Sequence, residues 1–283
     1  MRMTVHVCTK DRHTELAILL HSLRKQTFQD WDLFILDDAS GTGLLKAKFL
    51  QDILARIKLE GHDVEVHRNE VSLGVCAARQ YLIDADPWKD ENPLIMRLDD
   101  DCVLEPDYLE MLYHEITSDC ISKNVGWASG VTPMFGMPDQ KRDTKHVLPV
   151  INAITFDKEG NITEYHDDCG TGYVGAVVAL AHQFRSMALF KREMFTKGLA
   201  YEKGLTPVSF REEAFLSLRA AWMGYAGIVR TNAVGWHAPC PSGGVRRPER
   251  EYRECVSIDD ERFRKWAKKM FLEKGVPAVW KTE

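Results

Sequence analysis

The first 117 residues contain apolar runs that alternate with segments of helical period. The runs are residues 3–8, 31–36, 64–67 and 94–98, each of strand length and rich in apolar residues. Between the first two runs, apolar residues recur at Leu16, Leu19 and Leu23, which predicts a helix with one buried face. Ser72 is a suitable N-cap for a third helix, Leu73–Ile83. Because strands that alternate with helices form mostly parallel sheets covered on both faces, we predict an α/β fold.

The rest of the chain has a less regular pattern. Strand-like runs occur at 125–131, 186–190, 225–230 and 232–236, and 147–156 with 162–165 predicts a β-hairpin. Helices are predicted at Phe210–Trp222 and Asp259–Lys274, with a Pro- and Gly-containing loop at 239–248 between them. We therefore divide the chain into residues 1–117, a smaller irregular β-containing half at 118–258, and a C-terminal helix at 259–283 that packs on the same domain.

Polar and acidic residues follow every strand of the first part. They are Thr9 and Asp11, Asp37 and Asp38, Asn69, and the triplet Asp99-Asp100-Asp101. In open α/β sheets ligands bind beyond the carboxyl ends of the strands, so these side chains are expected to meet in one crevice. Helix capping accounts for Asp38, but it does not account for three acids in succession.

The acid triplet is the main candidate for chemistry. Three adjacent carboxylates in a partly dry site repel one another unless a cation lies among them. Hard oxygen ligands suit Mg²⁺ or Mn²⁺, which commonly bind one or two carboxylates together with substrate phosphates. On the motif alone, an acidic loop that faces solvent is an equally good interpretation.

Composition excludes several classes of protein. Among 283 residues, 45% are hydrophobic and 28% charged, the net charge is −5 and no half is strongly basic, so nucleic acid is not an expected partner. No apolar run reaches the roughly 18 residues of a membrane span, and the start lacks the features of a signal peptide. Seven cysteines without a CxxC pair indicate reduced thiols, and we expect a cytoplasmic protein.

Several short motifs, in this order along the chain, resemble the family 2 glycosyltransferases of the GT-A (Rossmann-like) fold. They are Thr9-Lys10-Asp11-Arg12, Gln26-Thr27, Asp37-Asp38-Ala39-Ser40, Asn69 with Gly74, Ala78 and Arg79, Leu98-Asp99-Asp100-Asp101 with Leu104-Glu105-Pro106, and Arg211-Glu212-Glu213 ahead of Arg219 and Gly224-Tyr225. The resemblance covers residues 3 to about 117 closely and about 186 to 237 more loosely. It implies an enzyme that uses a nucleotide sugar, with residues 1–117 as the donor-binding half and 118–258 as the acceptor-binding and catalytic half.

The resemblance implies the following roles on the donor side. Thr9, Asp11 and Asp38 line the nucleoside pocket, and Arg79 helps to fix the base or the diphosphate. The triplet matches the Asp-x-Asp motif: Asp99 and Asp100 lie at the nucleotide, with Asp99 also in the metal's water shell, and Asp101 binds Mn²⁺ or Mg²⁺ directly.

The resemblance also implies roles for residues from the second half. Glu213 lies at the position of the catalytic base, although that base is more often Asp and Glu212 is adjacent. His237 matches a downstream histidine that completes the metal shell, although a lone histidine beside Trp236 is commonly a half-buried structural side chain. Arg246 and Arg247 follow on a Gly-rich loop that either closes over the phosphates or stays solvated.

The expected reaction is an inverting transfer from a nucleoside diphosphate sugar to an acceptor hydroxyl. A UDP-sugar is the expected donor because UDP is common among such enzymes, and a role in polysaccharide biosynthesis would follow. The segment 125–173 carries no motif of the family, so the sugar and the acceptor (a glycan, a lipid carrier, a protein or a small molecule) stay open.

Two other functions and one other location are alternatives for this sequence. A sugar-phosphate nucleotidyltransferase would need a glycine-rich basic loop after the first strand, where this chain has Thr9-Lys10-Asp11-Arg12. An inactive glycan- or nucleotide-binding module would have little reason to keep both the triplet and Glu213. A stripe of apolar residues flanked by basic ones in the last helix can lie on an anionic membrane surface or, more commonly, pack on its own domain. The stripe is Phe263, Trp266, Met270 and Phe271, with Arg264, Lys265, Lys268 and Lys269 nearby.

Overall fold

The computed structural model describes residues 1–118, 124–136, 141–143 and 150–280. The part of the predicted hairpin at 147–149 lies outside these ranges. In the first part the strands are β1 (Met3–Thr9), β2 (Trp31–Asp37), β3 (Val64–Arg68), β4 (Leu94–Asp99) and β5 (Cys102–Leu104), and the helices are α1 (His13–Arg24), α2 (Lys48–Leu59), α3 (Val75–Ala85) and α4 (Tyr108–Thr117). The later strands are β6 (Val125–Val131), β7 (Lys141–Asp143), β8 (Val150–Ile151), β9 (Ile154–Phe156), β10 (Ile162–Tyr165), β11 (Gly172–Val174), β12 (Val178–Ala181), β13 (Ala188–Lys191) and β14 (Ala226–His237). The later helices are α5 (Glu193–Thr196), α6 (Glu212–Trp222) and α7 (Glu249–Lys274).

One large sheet runs through both halves of the molecule, in the order β3-β2-β1-β4-β13-β6-β14-β12-β8. Strands β1 to β4 are parallel, β13 is antiparallel to both of its neighbours, and β14 runs parallel to β6. Cys8 pairs with Asp99 and Thr9 with Asp37, so the carboxyl ends of three strands are level with one another. The predicted α/β fold with a mostly parallel central sheet flanked by helices is confirmed.

The predicted helical face of α1 is the one that packs on the sheet. Leu16, Leu19 and Leu23 are fully buried there. After β2, a 3-10 turn at Leu44–Lys46 precedes α2, and Phe49 in the first turn of α2 is about half exposed.

The start of α3 differs from the prediction. The helix begins at Val75, and its N-cap is Gly74 rather than Ser72. Gly74 has a φ of 79°, and a Cβ atom on it would lie 3.0 Å from Cα of Pro207, so only glycine fits there. The Ser72 hydroxyl instead donates a hydrogen bond to Asp38 at 2.7 Å.

The last helix begins at Glu249, ten residues before the predicted Asp259. Its first turns carry no apolar stripe for a sequence pattern to detect. They are stabilised by ion pairs between side chains four residues apart, such as Arg253 with Glu249 and Arg250 with Glu254. The two predicted strands at 225–230 and 232–236 are one strand, β14, with an irregular register against β6.

The apolar stripe of α7 packs on the protein itself. Phe263 is fully buried against Phe215 of α6, Trp266 contacts Phe215 and Trp222, and Phe271 stacks on Phe156. No helix within the described ranges has the length and apolar character that a bilayer span requires. The division at 117 and 259 stays a prediction, and β13, β6 and β14 continue the sheet of the first part across it.

Candidate active site

A cavity of about 260 Å³ opens at the carboxyl ends of β1 and β4 and is closed by α3, α6 and the segment after β14. Most of the predicted site residues line it, namely Thr9, Asp38, Arg79, Asp99, Asp100, Asp101, Glu213, His237 and Arg246. Asp11 and Arg247 are not among the lining residues. The carboxylate of Asp11 accepts a hydrogen bond from the Gly41 amide at 2.7 Å, and Arg247 pairs with Glu251 in the first turns of α7.

Asp38 shapes the donor side of the cavity. It is 6% exposed, and its two oxygens accept hydrogen bonds from Asn69 Nδ2, the Ser72 hydroxyl, and the Leu73 and Gly74 amides. These bonds hold the turn between β3 and α3 against the end of β2. This turn fixes the position of the first residues of α3, the helix that carries Arg79.

Two arginines hold Asp99. Arg79 donates to Asp99 Oδ1 and, at 2.7 Å, to the carbonyl oxygen of Leu98. Arg97 Nη2 lies 3.7 Å from the same carboxylate oxygen. Asp99 therefore sits in a positively charged corner, which offsets the repulsion from the next two acids.

Asp100 and Asp101 share a third arginine, which sequence analysis did not place in the site. Arg12 Nη1 donates to Asp100 Oδ1 and to Asp101 Oδ2, both at 2.9 Å. Burial raises the pKa of Asp100 to about 6, against the opposing charge of Arg12. Burial acts in the same direction on Asp101, but the hydrogen bond and charge of His237 and the charge of Arg12 outweigh it, so the pKa of Asp101 lies below its ordinary value.

His237 reaches the triplet because its strand pairs with the segment that follows the triplet. β5 runs directly after Asp101 and pairs with the end of β14, so His237 stands opposite Cys102. His237 Nε2 lies 3.5 Å from Asp101 Oδ1, and the amide of Ala238 donates to the carbonyl oxygen of Asp101 at 2.8 Å. His237 Nδ1 is buried and has no hydrogen-bond partner within the described part of the chain.

These donors fit a hard divalent cation. Ligand atoms of Asp99, Asp101 and Cys102 all lie within 4.8 Å of one another, and Asp101 Oδ1 is not the oxygen that Arg12 holds. The 3.5 Å between this oxygen and His237 Nε2 is close to the roughly 3 Å that separates neighbouring ligands of an octahedral Mg²⁺. Burial raises the pKa of the Cys102 thiol well above its ordinary value, and sulfur is a softer ligand than Mg²⁺ or Mn²⁺ prefers. Asp99 and Asp101 are the carboxylates of this cluster, and His237 lies outside it but beside Asp101.

The two adjacent glutamates of α6 occupy different environments. Glu212 is 4% exposed, and Arg97 donates to both of its oxygens. The side chain of Glu213 is 27% exposed, lines the cavity, and lies 3.5 Å from Arg97 Nη2. Both glutamates line the cavity, and Glu213 is the more exposed of the two.

Glu212 and Arg97 stabilise each other's charged form. Arg97 lowers the pKa of Glu212 and Glu212 raises the pKa of Arg97, in each case against the effect of burial. Burial raises the pKa of Glu212 to about 7, against the charge of Arg97. Burial alone would lower the pKa of Arg97, but the neighbouring carboxylates raise it well above its ordinary value. Arg97 is therefore positively charged throughout the physiological pH range, and it forms an ion pair with Glu212 when Glu212 is ionised.

The start of α6 is anchored from α7. Asp259 is fully buried and accepts hydrogen bonds from the Thr206 amide and hydroxyl, both at 2.7 Å, and from the Phe210 amide at 2.9 Å. These bonds fix the turn before Glu212 and Glu213. The sequence pattern indicates Asp259 only as the first residue of the predicted last helix, so it does not reveal the contact of Asp259 with the turn before α6.

The loop after β14 closes the cavity through a pair of glycines. The Gly244 amide donates to the Lys10 carbonyl oxygen at 2.7 Å, and Arg12 Nε donates to the Ser242 carbonyl oxygen at 3.2 Å. Gly243 has a φ of 72°, and a Cβ on it would lie 2.7 Å from the carbonyl oxygen of Asp11. This close contact places Arg246 in the cavity wall.

Solved structures with a similar fold include GT-A glycosyltransferases. GalNAc-T7, solved with UDP, GalNAc and Mn²⁺, superposes with a TM-score of 0.64 at 17% identity, over 84% of this chain and 44% of that one. The mannosyltransferase PcManGT from Pyrobaculum calidifontis, in complex with GDP-Man and Mn²⁺, gives 0.58 at 14% identity, over 96% and 69%. S. aureus TarS 1-349, in complex with UDP-GlcNAc, gives 0.57 at 12% identity, over 97% and 72%. The chain spans less than half of the GalNAc-T7 chain, and these likenesses establish the GT-A fold.

The family follows from the sequence as well. The model of glycosyl transferase family 2 matches residues 4–197, well over half of the chain, and the protein belongs to this family. None of the curated proteins compared with the chain matches it. The predicted family is confirmed, and this family is one of glycosyltransferases rather than nucleotidyltransferases.

Proposed function

We propose that the protein transfers a sugar from a nucleoside diphosphate donor to an acceptor hydroxyl, with inversion at the anomeric carbon. One observation carries the proposal: the acid triplet and Glu213, more than a hundred residues apart in sequence, line the same cavity. UDP-sugars are the first candidates for the donor, since GalNAc-T7 and TarS were solved with UDP or UDP-GlcNAc, and GDP-sugars follow from PcManGT.

Asp99, Asp101 and His237 are proposed to hold Mn²⁺ or Mg²⁺. The cation, when bound, would supply Lewis-acid stabilisation of the leaving diphosphate. The 3.5 Å between Asp101 Oδ1 and His237 Nε2, and the lack of a partner for His237 Nδ1 in the described ranges, support this assignment.

The remaining donor contacts are proposed from the cavity lining. Thr9 and the turn held by Asp38 would contact the nucleoside, and the cationic side chains of Arg79 and Arg246 would face the diphosphate. Asp100 would act through Arg12, which binds both Asp100 and Asp101. Asp11 and Arg247 could contribute only beyond the rim, because they do not line the cavity.

Glu213 is proposed as the general base. Its carboxylate would take the proton of the acceptor hydroxyl while that oxygen bonds to the anomeric carbon and the bond to the diphosphate oxygen breaks. The nucleoside diphosphate leaves with the bonding electron pair, and a single displacement of this kind inverts the configuration. A positioned base typically contributes about 10²–10⁴-fold to the rate.

The acceptor (a glycan, a lipid-linked molecule or a small molecule), a role in polysaccharide biosynthesis and a cytoplasmic location stay proposals. The described cysteines are all free thiols, which supports a reducing compartment. The packing of the α7 stripe against α6 leaves association with a membrane surface the weaker alternative.

The test is to incubate the protein with UDP-, GDP-, CMP- and dTDP-sugars and Mn²⁺, with water as the fallback acceptor. Released nucleotide is measured by a coupled assay, and the anomeric configuration of the released sugar by proton NMR before mutarotation. We expect release from one class of donor with inverted configuration. Retained configuration would contradict the mechanism, and no release or transfer from any donor would contradict the function.

A further inference from the structure

Arg97 is a charged residue in the middle of a buried strand. It follows Leu94, Ile95 and Met96 in β4 and is 2% exposed. A charge at such a position is costly unless it is paired and hydrogen-bonded. The residues that contact the guanidinium therefore indicate the role of Arg97.

The guanidinium of Arg97 joins the two sides of the cavity. Nη1 donates to Glu212 Oε2 at 2.9 Å, and Nη2 donates to the other oxygen of Glu212. The same Nη2 lies 3.5 Å from Glu213 Oε1 and 3.7 Å from Asp99 Oδ1. The rings of Phe184 and Tyr201 lie 5.0 and 6.0 Å from the guanidinium carbon.

We infer that Arg97 is a positioning residue for sugar transfer, which aims the Glu213 carboxylate at a fixed place relative to Asp99 on the donor side. Glu212 is its anchor: a bidentate pair fixes the plane of the guanidinium, and with it the direction of Nη2. This inference rests on the proposed function, because it gives Arg97 a part in the same reaction.

A purely structural ion pair would not need these contacts. The pair with Glu212 already balances the buried charge, yet Nη2 also faces Asp99 and Glu213, which line the cavity. Asp99 has a second partner in Arg79, so the donor side keeps its own support when Arg97 is changed. Glu213, by contrast, has Arg97 as its only ion-pair partner within the described ranges. Loss of Arg97 should therefore disturb the base more than the donor site.

The test compares Arg97→Lys with a matched variant, Arg192→Lys. Arg192 is also buried and donates to a carboxylate, Asp86 Oδ2, at 2.6 Å, but it lies outside the cavity lining. Lysine keeps the charge and cannot form the bidentate pair. We expect Arg97→Lys to lower kcat about 10²-fold, the effect of a small misplacement of a catalytic group, while the donor KM and the Kd of UDP change little. Arg192→Lys should leave kcat unchanged in the folded protein.

A double variant keeps the test decisive if Arg97→Lys does not fold. Arg97→Met with Glu212→Leu removes both charges of the buried pair and leaves apolar side chains, an exchange that is often tolerated. It removes the contact with Glu213 and retains Arg79 and Asp99. We expect kcat to fall here too, with nearly unchanged affinity for UDP.

Three results would overturn the inference. They are a folded Arg97 variant with wild-type kcat, a loss that appears in the Kd of UDP as much as in kcat, and an equal loss of kcat in Arg192→Lys. A wild-type protein that transfers no sugar is a different result: it would remove the proposed function itself, and the role of Arg97 in transfer with it.

Discussion

The substitution Glu213→Gln separates catalysis from binding more cleanly than any other single change in the cavity. Glutamine keeps the shape of the side chain and removes the carboxylate that would accept the proton. The side chain is 27% exposed, and its one ion-pair contact in the described ranges is 3.5 Å long, so its loss should cost less than about 1 kcal/mol of stability.

The magnitudes follow from these features. An unfolding entropy of about 2.1 cal/mol/K per residue over 283 residues is about 0.6 kcal/mol per degree, so Tm should fall by less than about 2 °C. Loss of the base should lower kcat about 10²–10⁴-fold, which is about 3–5 kcal/mol of activation free energy. The affinity for UDP should stay close to wild type, because no donor contact is changed.

The assay combines three measurements on one preparation: Tm, the Kd of UDP by calorimetry, and kcat for transfer from the best donor. Glu193→Gln, on the surface in α5 and outside the cavity lining, serves as a matched control and should leave kcat and the Kd of UDP unchanged. A variant that loses UDP binding would show that Glu213 is structural. Unchanged kcat would assign the base to another group, with Glu212 the next to test.

Two further predictions concern the loop and the pH dependence. Gly243→Ala should weaken UDP binding, measured by calorimetry. The new Cβ would lie 2.7 Å from the carbonyl oxygen of Asp11 and would displace the loop that carries Arg246. Gly61→Ala is the control for backbone strain, because Gly61 has a φ of 99° and open space around it. Burial lowers the pKa of His182 to about 4, whereas a histidine in the unfolded chain has a pKa of about 6.5. Between these two values the unfolded chain binds a proton that the folded chain does not bind. The free energy of unfolding should therefore fall as the pH drops from 7 to 5. His182 should account for about 2 kcal/mol of this fall. The measurement is the change in urea unfolding free energy between pH 7 and pH 5, which should be smaller by this amount in His182→Gln than in the wild type. An equal change in both proteins would refute the prediction.

The fold and the acid cluster were predictable because each rests on local pattern. Apolar runs that end in Thr9, Asp38 and Asp99 define parallel strands, and parallel strands bring their carboxyl ends to one edge whatever the details of packing. The helical pattern of Phe210–Trp222 likewise placed Glu213 near the start of a helix. Family resemblance then named the roles.

The parts that escaped prediction depend on partners distant in sequence. Arg12 acquires its role from Asp100 and Asp101, and Arg97 from Glu212, contacts that no local periodicity encodes. One signal was present: an arginine inside the apolar run before the triplet requires a buried anion. Ser72 was misassigned because Asp38, from another strand, competes for its hydroxyl.

The proposed function requires that the cavity binds a nucleoside diphosphate together with a divalent cation held at Asp101. Calorimetric titration of UDP, and then of GDP, CMP and dTDP, with and without Mn²⁺ tests it directly in the wild type and in Asp101→Asn. We expect Mn²⁺ to tighten the binding of one nucleotide by about tenfold or more, which is about 1.4 kcal/mol, and we expect Asp101→Asn to remove this gain. Equal affinity with and without Mn²⁺ in the wild type, or an undiminished gain in Asp101→Asn, would contradict it.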